Sequence, residues 1–289
     1  MATETASFGV GKRESHDSSA FYRRRMLQHA PKVTLGEPQP PPDEIVDALF
    51  CSSSESMAEI PDDCVALMVT SPPYNVGKDY DEDLTLGEYL DLLARVLTET
   101  VRVLEPGGRV AVNVANLGRK PYLPLNHHVA GLLQDLGLLL RGEIIWQKAK
   151  GAGGSCAWGS WRSAKNPTLR DVHEYVVVAS KGAYRRSRIG RDTITKEEFL
   201  EATTSIWSIK PASAKRLGHP APFPVELPRR LIEFYSFEGD LILDPFMGSG
   251  STAVAAVESD RHFVGYDNDP AYLEIARARV AAARGISVT

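Results

Sequence analysis

The sequence predicts an α/β protein built on a doubly wound, mostly parallel β-sheet. Strand-like apolar runs alternate with segments of helical periodicity from about residue 43 to 284. The turns between these segments are short, and a glycine-rich turn at 245–251, "PFMGSGS", joins a predicted strand to a predicted helix. Strands that alternate with helices in this way form a parallel sheet with helices on both faces.

The first part of the chain contains four predicted strands and two predicted helices. Residues 1–42 are polar and rich in proline near their end, which predicts a mobile arm and a linker. Thr85 and Glu88 form a capping box, so a helix should begin there and end at the Pro-Gly-Gly of 106–108. The strands are predicted at 64–69, 109–114, 143–148 and 174–180, and the second helix near 124–137.

The second part repeats the alternation after a less regular stretch. Helices are predicted at 224–236, 252–259 and 270–284, and strands at 240–244 and 262–267. The whole region from 43 to 289 is therefore predicted to be one domain.

Composition excludes several classes of protein. The 289 residues, 43% hydrophobic and 24% charged, suffice for a full core. No apolar run reaches the length of about 18 residues that spans a membrane, and no signal peptide is recognisable, so a cytoplasmic protein without a membrane partner is expected. The three cysteines lack metal-ligand spacing, and we expect free thiols and no metal.

Positive charge is concentrated in one region. Residues 141–191 carry eleven Lys and Arg against three acids, a net charge of +8, although the whole chain has a net charge of −4. Such a region is typical of a surface that binds nucleic-acid phosphates, although a solvated arginine-rich loop has the same composition. The predicted DNA-binding residues are Lys148, Arg162, Lys165, Arg185, Arg186 and Arg188.

The segment Ser71-Pro72-Pro73-Tyr74 follows the first predicted core strand. Two prolines remove two backbone donors and fix two φ angles. The carbonyl groups of this stiff segment need partners from outside the sheet, which indicates a ligand.

The glycine-rich turn is compatible with two ligands. Gly248, Gly250 and Ala253 match the dinucleotide pattern G-x-G-x-x-A, and Asp267 follows 19 residues after Gly248. This pattern would fit an enzyme that binds a nicotinamide dinucleotide. A glycine-rich turn without a ligand fits it less well. A carboxylate at Asp244, directly before the turn, would repel a pyrophosphate but suit an ammonium and a sulfonium, as in S-adenosylmethionine.

"TSPPYN" (70–75) together with "DPFMGSGST" (244–252) resembles the amino-group DNA methyltransferases of the β class, whose catalytic motif precedes the target-recognition region and whose cofactor motif comes last. Supporting segments lie at 104–114, 144–148, 173–181 and 218–236. The resemblance implies a Rossmann-like, S-adenosylmethionine-dependent methyltransferase fold with a small target-recognition insertion. It divides the domain into a catalytic half (43–148), a target-recognition region within about 149–217 and a cofactor half (218–289). Cys51-Ser52-Ser53 departs from the Gly-Asp common in the family, so no adenine contact is assigned there.

The resemblance also implies roles for individual residues. The Ser71 hydroxyl and the Pro72 carbonyl would accept hydrogen bonds from the target amine, Pro73 would stiffen the loop, and Tyr74 would stack on a base flipped out of the duplex. The implied cofactor-binding residues are Asp244, Pro245, Phe246, Gly248, Ser249, Gly250, Ser251, Thr252, Asp267 and Phe223, with S-adenosylhomocysteine as product.

Within this family, serine in place of aspartate at the head of the motif is more typical of N4-cytosine than of N6-adenine methylation, so the resemblance implies N4 of cytosine as the target. A C5-cytosine enzyme fits poorly, because none of the three cysteines follows a proline. A non-catalytic DNA-binding protein on the same frame, or methylation of RNA or a small molecule, stays open. Duplex DNA is the expected partner, and the family allows a cognate restriction endonuclease and a homodimer.

Overall fold

The computed structural model describes residues 35–73, 84–118, 121–148, 161–212 and 224–286. A 3₁₀ turn at Asp43–Ile45 precedes the first strand. The strands are β1 Ala48–Cys51, β2 Val65–Thr70, β3 Leu104–Val114, β4 Leu138–Gln147, β5 His173–Lys181, β6 Ile206–Ser208, β7 Leu241–Asp244 and β8 His262–Asp267. The helices are α1 Leu86–Val103, α2 Leu125–Asp135, α3 Lys196–Ala202, α4 Glu226–Tyr235, α5 Ser251–Glu258 and α6 Pro270–Ala283.

These strands form one sheet in the order β1-β8-β7-β2-β3-β5-β4-β6. Every neighbouring pair is parallel except the two pairs that include β5. The predicted doubly wound, mostly parallel sheet is therefore confirmed. The carboxyl ends of the parallel strands and the amino end of β5 meet at one edge, which we call the site edge; the opposite edge is the far edge.

Helices cover both faces of the sheet. One apolar cluster joins α1 and α2 to the sheet through residues such as Leu93 and Leu133, and a second joins α4, α5 and α6 through residues such as Leu231 and Ala255. All six residues of β2 are buried, as expected for a central strand with helices on both sides.

The capping box of α1 is confirmed. The Glu88 N–H donates to Thr85 Oγ1 at 3.3 Å, and the Thr85 N–H donates to Glu88 Oε2 at 2.8 Å. The helix ends at Val103, but Pro-Gly-Gly lies inside β3 instead of separating helix from strand, because Leu104 already pairs with Val65.

Two elements of the less regular stretch were not predicted. Helix α3 begins with a second capping box, formed by Thr195 and Glu198. Strand β6 has only three residues and pairs with the end of β4. Such a short strand carries no periodicity of its own, whereas the spacing of Thr195 and Glu198 was a readable signal for α3.

The N-terminal arm lies mostly outside the described residues. The end of the predicted linker is tied to the core, since the Gln39 N–H donates to the Asp63 carbonyl at 2.9 Å. Across the described part of the chain, no helix has the length and apolarity that crossing a membrane requires.

Candidate active site

The catalytic and cofactor motifs meet at the site edge although they are far apart in sequence. Strand β2, which leads into Ser71, pairs with β7, which ends at Asp244. On the other side of β7 lies β8, which ends at Asp267. In open parallel sheets, ligands bind in the crevice beyond such carboxyl ends.

Asp244 ties this edge together from the inside. Its carboxylate accepts hydrogen bonds from Thr70 Oγ1 and Thr252 Oγ1, both at 2.6 Å, and from the Phe246 N–H at 3.0 Å. The residue is 0% exposed, and burial raises the pKa of Asp244 to about 6 against the opposing effect of these hydrogen bonds. The carboxylate links the β2 end to the start of α5, an arrangement that does not favour the predicted direct contact with a ligand's charge.

The glycine-rich turn is shaped by packing within the chain. Gly250 has φ +80°, and a Cβ at this position would lie 2.7 Å from the Ala276 Cβ of α6. The Gly248 N–H donates to Asp267 Oδ2 at 2.7 Å. Glycine at 250 is thus required by a left-handed conformation and by the close approach of α6.

The hydroxyl groups of the turn point into the protein. Arg279 of α6 donates to the Ser249 carbonyl at 2.5 Å and to the Ser251 hydroxyl at 3.3 Å, and Thr252 is bound to Asp244. Ser249, Ser251 and Thr252 are buried, so their predicted side-chain contacts to a cofactor are not supported. Burial lowers the pKa of Arg279.

Arg279 was not predicted as a site residue. The position of this arginine beside the buried Ala276 and Val280 of α6 was the available signal.

Three of the predicted cofactor residues remain accessible. Phe246, Gly248 and Asp267 are half-buried, whereas Pro245 and Gly250 are buried. Asp267 also accepts from the Asp269 N–H at 2.9 Å, and burial raises the pKa of Asp267. This set of groups fits an adenosine. The ring of Phe246 could pack on the base, and the Asp267 carboxylate could accept hydrogen bonds from the ribose. Phe223 lies outside the described residues.

Ser71 lies at the same edge, beside a polar chain. Asn113 Nδ2 is 3.4 Å from Ser71 Oγ and donates to Glu174 Oε2 at 2.7 Å. Glu174 Oε1 is 2.5 Å from Lys148 Nζ. Pro72 is buried and Pro73 half-buried, and Tyr74 lies outside the described residues. Asn113 and Glu174 lie in the segments 104–114 and 173–181 that support the resemblance, but neither was predicted as a site residue.

The predicted DNA-binding residues separate into two groups. Arg162 and Lys165 are exposed on the segment that leads into β5 at the site edge. Arg185, Arg186 and Arg188 follow the end of β5 at the far edge, where Arg185 lies against Gly107, about 20 Å from Ser71 at about 3.3 Å per residue along β3. These three lie at the end of the sheet opposite Ser71, an arrangement that does not favour their predicted contact with DNA bound at the site.

Arg186 moreover forms ion pairs inside the protein. It binds Glu105 and Asp240, and its side chain is only 4% exposed. Lys181 likewise pairs with Asp63 at 2.7 Å. The net charge of residues 141–191 is therefore larger than the charge that this region exposes, because acidic residues from other parts of the chain neutralise some of its cations. Among the described residues, no group of three potential ligands could hold a metal ion.

Comparisons with known proteins agree with this geometry. Residues 65–278 match the N6/N4 DNA methylase family model, described as DNA methylase. The Type II methyltransferase M.BglI of Bacillus subtilis is 27% identical, with 76% of this chain and 81% of that protein covered. For M.ScaI of Streptomyces caespitosus, the identity is 28% and the coverages are 87% and 86%.

Solved structures give the same result. A protein of Thermus thermophilus assigned as a DNA modification methylase, complexed with S-adenosyl-L-methionine, superposes with a TM-score of 0.66 at 29% identity, covering 81% of this chain and 95% of that chain. The cytosine-N4-specific PvuII DNA methyltransferase has a TM-score of 0.65 at 19% identity, covering 87% and 89% of the two chains, which shows a shared fold.

Proposed function

Because the chain belongs to the N6/N4 DNA methylase family, and is thus a DNA amino-methyltransferase that uses S-adenosylmethionine, we propose that its target is the exocyclic N4 of cytosine. The observation that carries this proposal is Ser71, in place of an aspartate, at the carboxyl end of β2 beside the cofactor turn. A recognition sequence in duplex DNA is read by the segments that leave the site edge.

The chemistry of the target explains the need for such a residue. The lone pair of an exocyclic amine is delocalised into the ring, so the nitrogen is a poor nucleophile. Hydrogen-bond acceptors placed on its N–H groups favour a tetrahedral nitrogen whose lone pair is available. When bound, S-adenosylmethionine supplies an activated methyl group.

We assign the acceptor role to Ser71 Oγ and the Pro72 carbonyl. Ser71 is half-buried at the site edge, which allows both contact with a substrate and exclusion of water. Tyr74 is proposed to stack on the flipped base, a role that aromatic side chains serve for any base.

For the cofactor, we propose contacts from the half-buried residues of the turn. Asp267 would accept hydrogen bonds from the ribose hydroxyls, and the ring of Phe246 would pack on the adenine. Asp244 and Arg279 would act indirectly, by holding the turn in shape.

Arg162 and Lys165 are proposed to bind DNA phosphates, and Lys148 to act through Glu174. Similarity to Type II methyltransferases supports a cognate restriction endonuclease as a proposed partner. The homodimer, the cytoplasmic location and the boundaries of the target-recognition region remain predictions.

Sequencing of plasmid DNA from a host that expresses this chain, with a method sensitive to modified bases, tests the proposal. The expected result is N4-methylcytosine at one recurring sequence. N6-methyladenine at that sequence would contradict the assignment of the base but agree with the family. Unmodified DNA from a host that contains folded protein would favour the non-catalytic DNA-binding alternative.

A further inference from the structure

Four polar side chains form a continuous chain from the surface to Ser71. Lys148 Nζ lies 2.5 Å from Glu174 Oε1, Glu174 Oε2 accepts from Asn113 Nδ2 at 2.7 Å, and the same Nδ2 lies 3.4 Å from Ser71 Oγ. Asn113 and Glu174 are 3% and 7% exposed. A buried polar network of this kind is costly unless its members bond one another.

The chemistry of these groups fixes the direction of the two hydrogen bonds to Glu174. A lysine ammonium only donates, and an ionised carboxylate only accepts. Glu174 therefore turns the NH₂ group of Asn113, and not its carbonyl oxygen, towards itself. The second hydrogen of this NH₂ group is then directed to Ser71 Oγ, which it holds as an acceptor.

The two buried residues come from strands on the same side of β2. Asn113 is opposite Val176 in the pairing of β3 with β5, and Glu174 is opposite Trp146 in the pairing of β5 with β4. Rigid strands thus support a serine that itself lies in a loop. Supporting contacts of this kind keep a reactive side chain in its productive geometry.

We propose that Asn113 and Glu174 are positioning residues that hold the Ser71 hydroxyl for the target amine. This inference rests on the proposed role of Ser71. Without these two residues, the serine oxygen would sample rotamers that miss the amine, and turnover would fall while binding of cofactor and DNA stays intact.

The test is a double-mutant cycle in single-turnover methylation of a duplex substrate. Asn113→Ala should lower the rate about tenfold, as expected for one lost hydrogen bond, with Kd values for S-adenosylmethionine and DNA unchanged within about twofold. In a Ser71→Ala background, the same change should have almost no effect, because interacting residues are not additive. Equal losses in both backgrounds, or an unchanged rate in Asn113→Ala, would overturn the proposal.

A matched control is available where helix α2 contacts strand β4. Asn126 is 2% exposed and donates to Glu143 at 3.2 Å, so Asn126→Ala breaks an Asn–Glu pair outside the chain of bonds that leads to Ser71. It should leave the rate unchanged. If Asn113→Ala does not fold, Glu174→Gln replaces it in the same cycle, since it preserves volume and removes the fixed acceptor. Wild-type protein that methylates no DNA would instead contradict the proposed function itself.

Discussion

Ser71 is the residue whose chemistry the account depends on most. Its hydroxyl has the Asn113 amide on one side and lies at the edge where β2 leaves the sheet. Ser71→Ala should lower kcat by about 10- to 100-fold, because the lost bond of about 1–3 kcal/mol strengthens in the transition state. Calorimetry should find the affinity for S-adenosylmethionine almost unchanged. A loss of cofactor affinity with normal kcat would place Ser71 in cofactor binding instead.

We expect Asp244 to make the stability of the protein depend on pH. Because burial raises its pKa from 3.8 to about 6, the folded state binds this proton more tightly than the unfolded chain. Protonated Asp244 therefore stabilises the folded state fully below pH 3.8, and this contribution to the free energy of unfolding is lost as the pH rises through about 6. The total loss is about 3 kcal/mol. The Asp244→Asn variant has no ionisable group at this position, so its free energy of unfolding should not show this loss.

Urea unfolding at about pH 4 and about pH 7 measures this effect. The difference in free energy of unfolding, wild type minus Asp244→Asn, should be smaller at the higher pH. A difference that stays constant between the two conditions would show that Asp244 titrates normally in the folded protein.

Individual residues were predictable where a motif fixes a strand end, as for Ser71 and Asp267. The direction of a side chain was not predictable. Asp244 faces inward because Thr70, 174 residues earlier, supplies a donor in the adjacent strand. This inward direction does not favour an electrostatic contact between Asp244 and a ligand, although the cofactor that such a contact would suit, S-adenosylmethionine, agrees with the family.

At the scale of elements, α6 holds the turn that precedes α5. Arg279→Ala removes donors from the Ser249 carbonyl and the Ser251 hydroxyl, and it should weaken S-adenosylmethionine binding about tenfold, the equivalent of one charged hydrogen bond. Arg277 lies on the same helix and pairs with Glu274 at 2.6 Å, so Arg277→Ala is the control and should bind normally. Equal affinities of the two folded variants would remove Arg279 from the account.

The two loops at the ends of β5 are expected to differ in DNA binding. Replacing Arg162 and Lys165 at the site edge by alanine should flatten the log–log salt dependence of the binding constant by about 1.8, or about 0.9 for each phosphate contact. Replacing Arg185 and Arg188 at the far edge should leave the slope unchanged. Fluorescence anisotropy across a salt series measures both slopes, and the reverse pattern would place the DNA at the far edge.

Elements with strong periodicity were predicted closely, and short or paired ones were not. Strand β8 has the predicted bounds, and α6 differs by one residue. Strand β6 forms by pairing its backbone with the end of β4. The sequence of these three residues alone does not reveal this pairing. The position of Arg185 at the far edge follows from the antiparallel direction of β5, which composition cannot encode.

At the scale of the whole molecule, the sheet order brings together motifs that the chain keeps apart. Strands β2 and β7 are neighbours although α1 to α4 lie between them in sequence. The segment predicted to recognise the target follows β4 and includes β5, and only β3 separates β5 from β2 in the sheet. One crevice can therefore hold the cofactor, the target base and the polar chain behind Ser71.

The most direct test uses purified protein, duplex DNA and S-adenosylmethionine with an isotopically labelled methyl group, followed by mass spectrometry of the nucleosides. Catalysis at Ser71 with cytosine as the target predicts labelled N4-methylcytosine. Labelled N6-methyladenine without N4-methylcytosine would contradict the target assigned to Ser71, and the absence of any labelled nucleoside from protein that binds the cofactor would contradict catalysis by this chain.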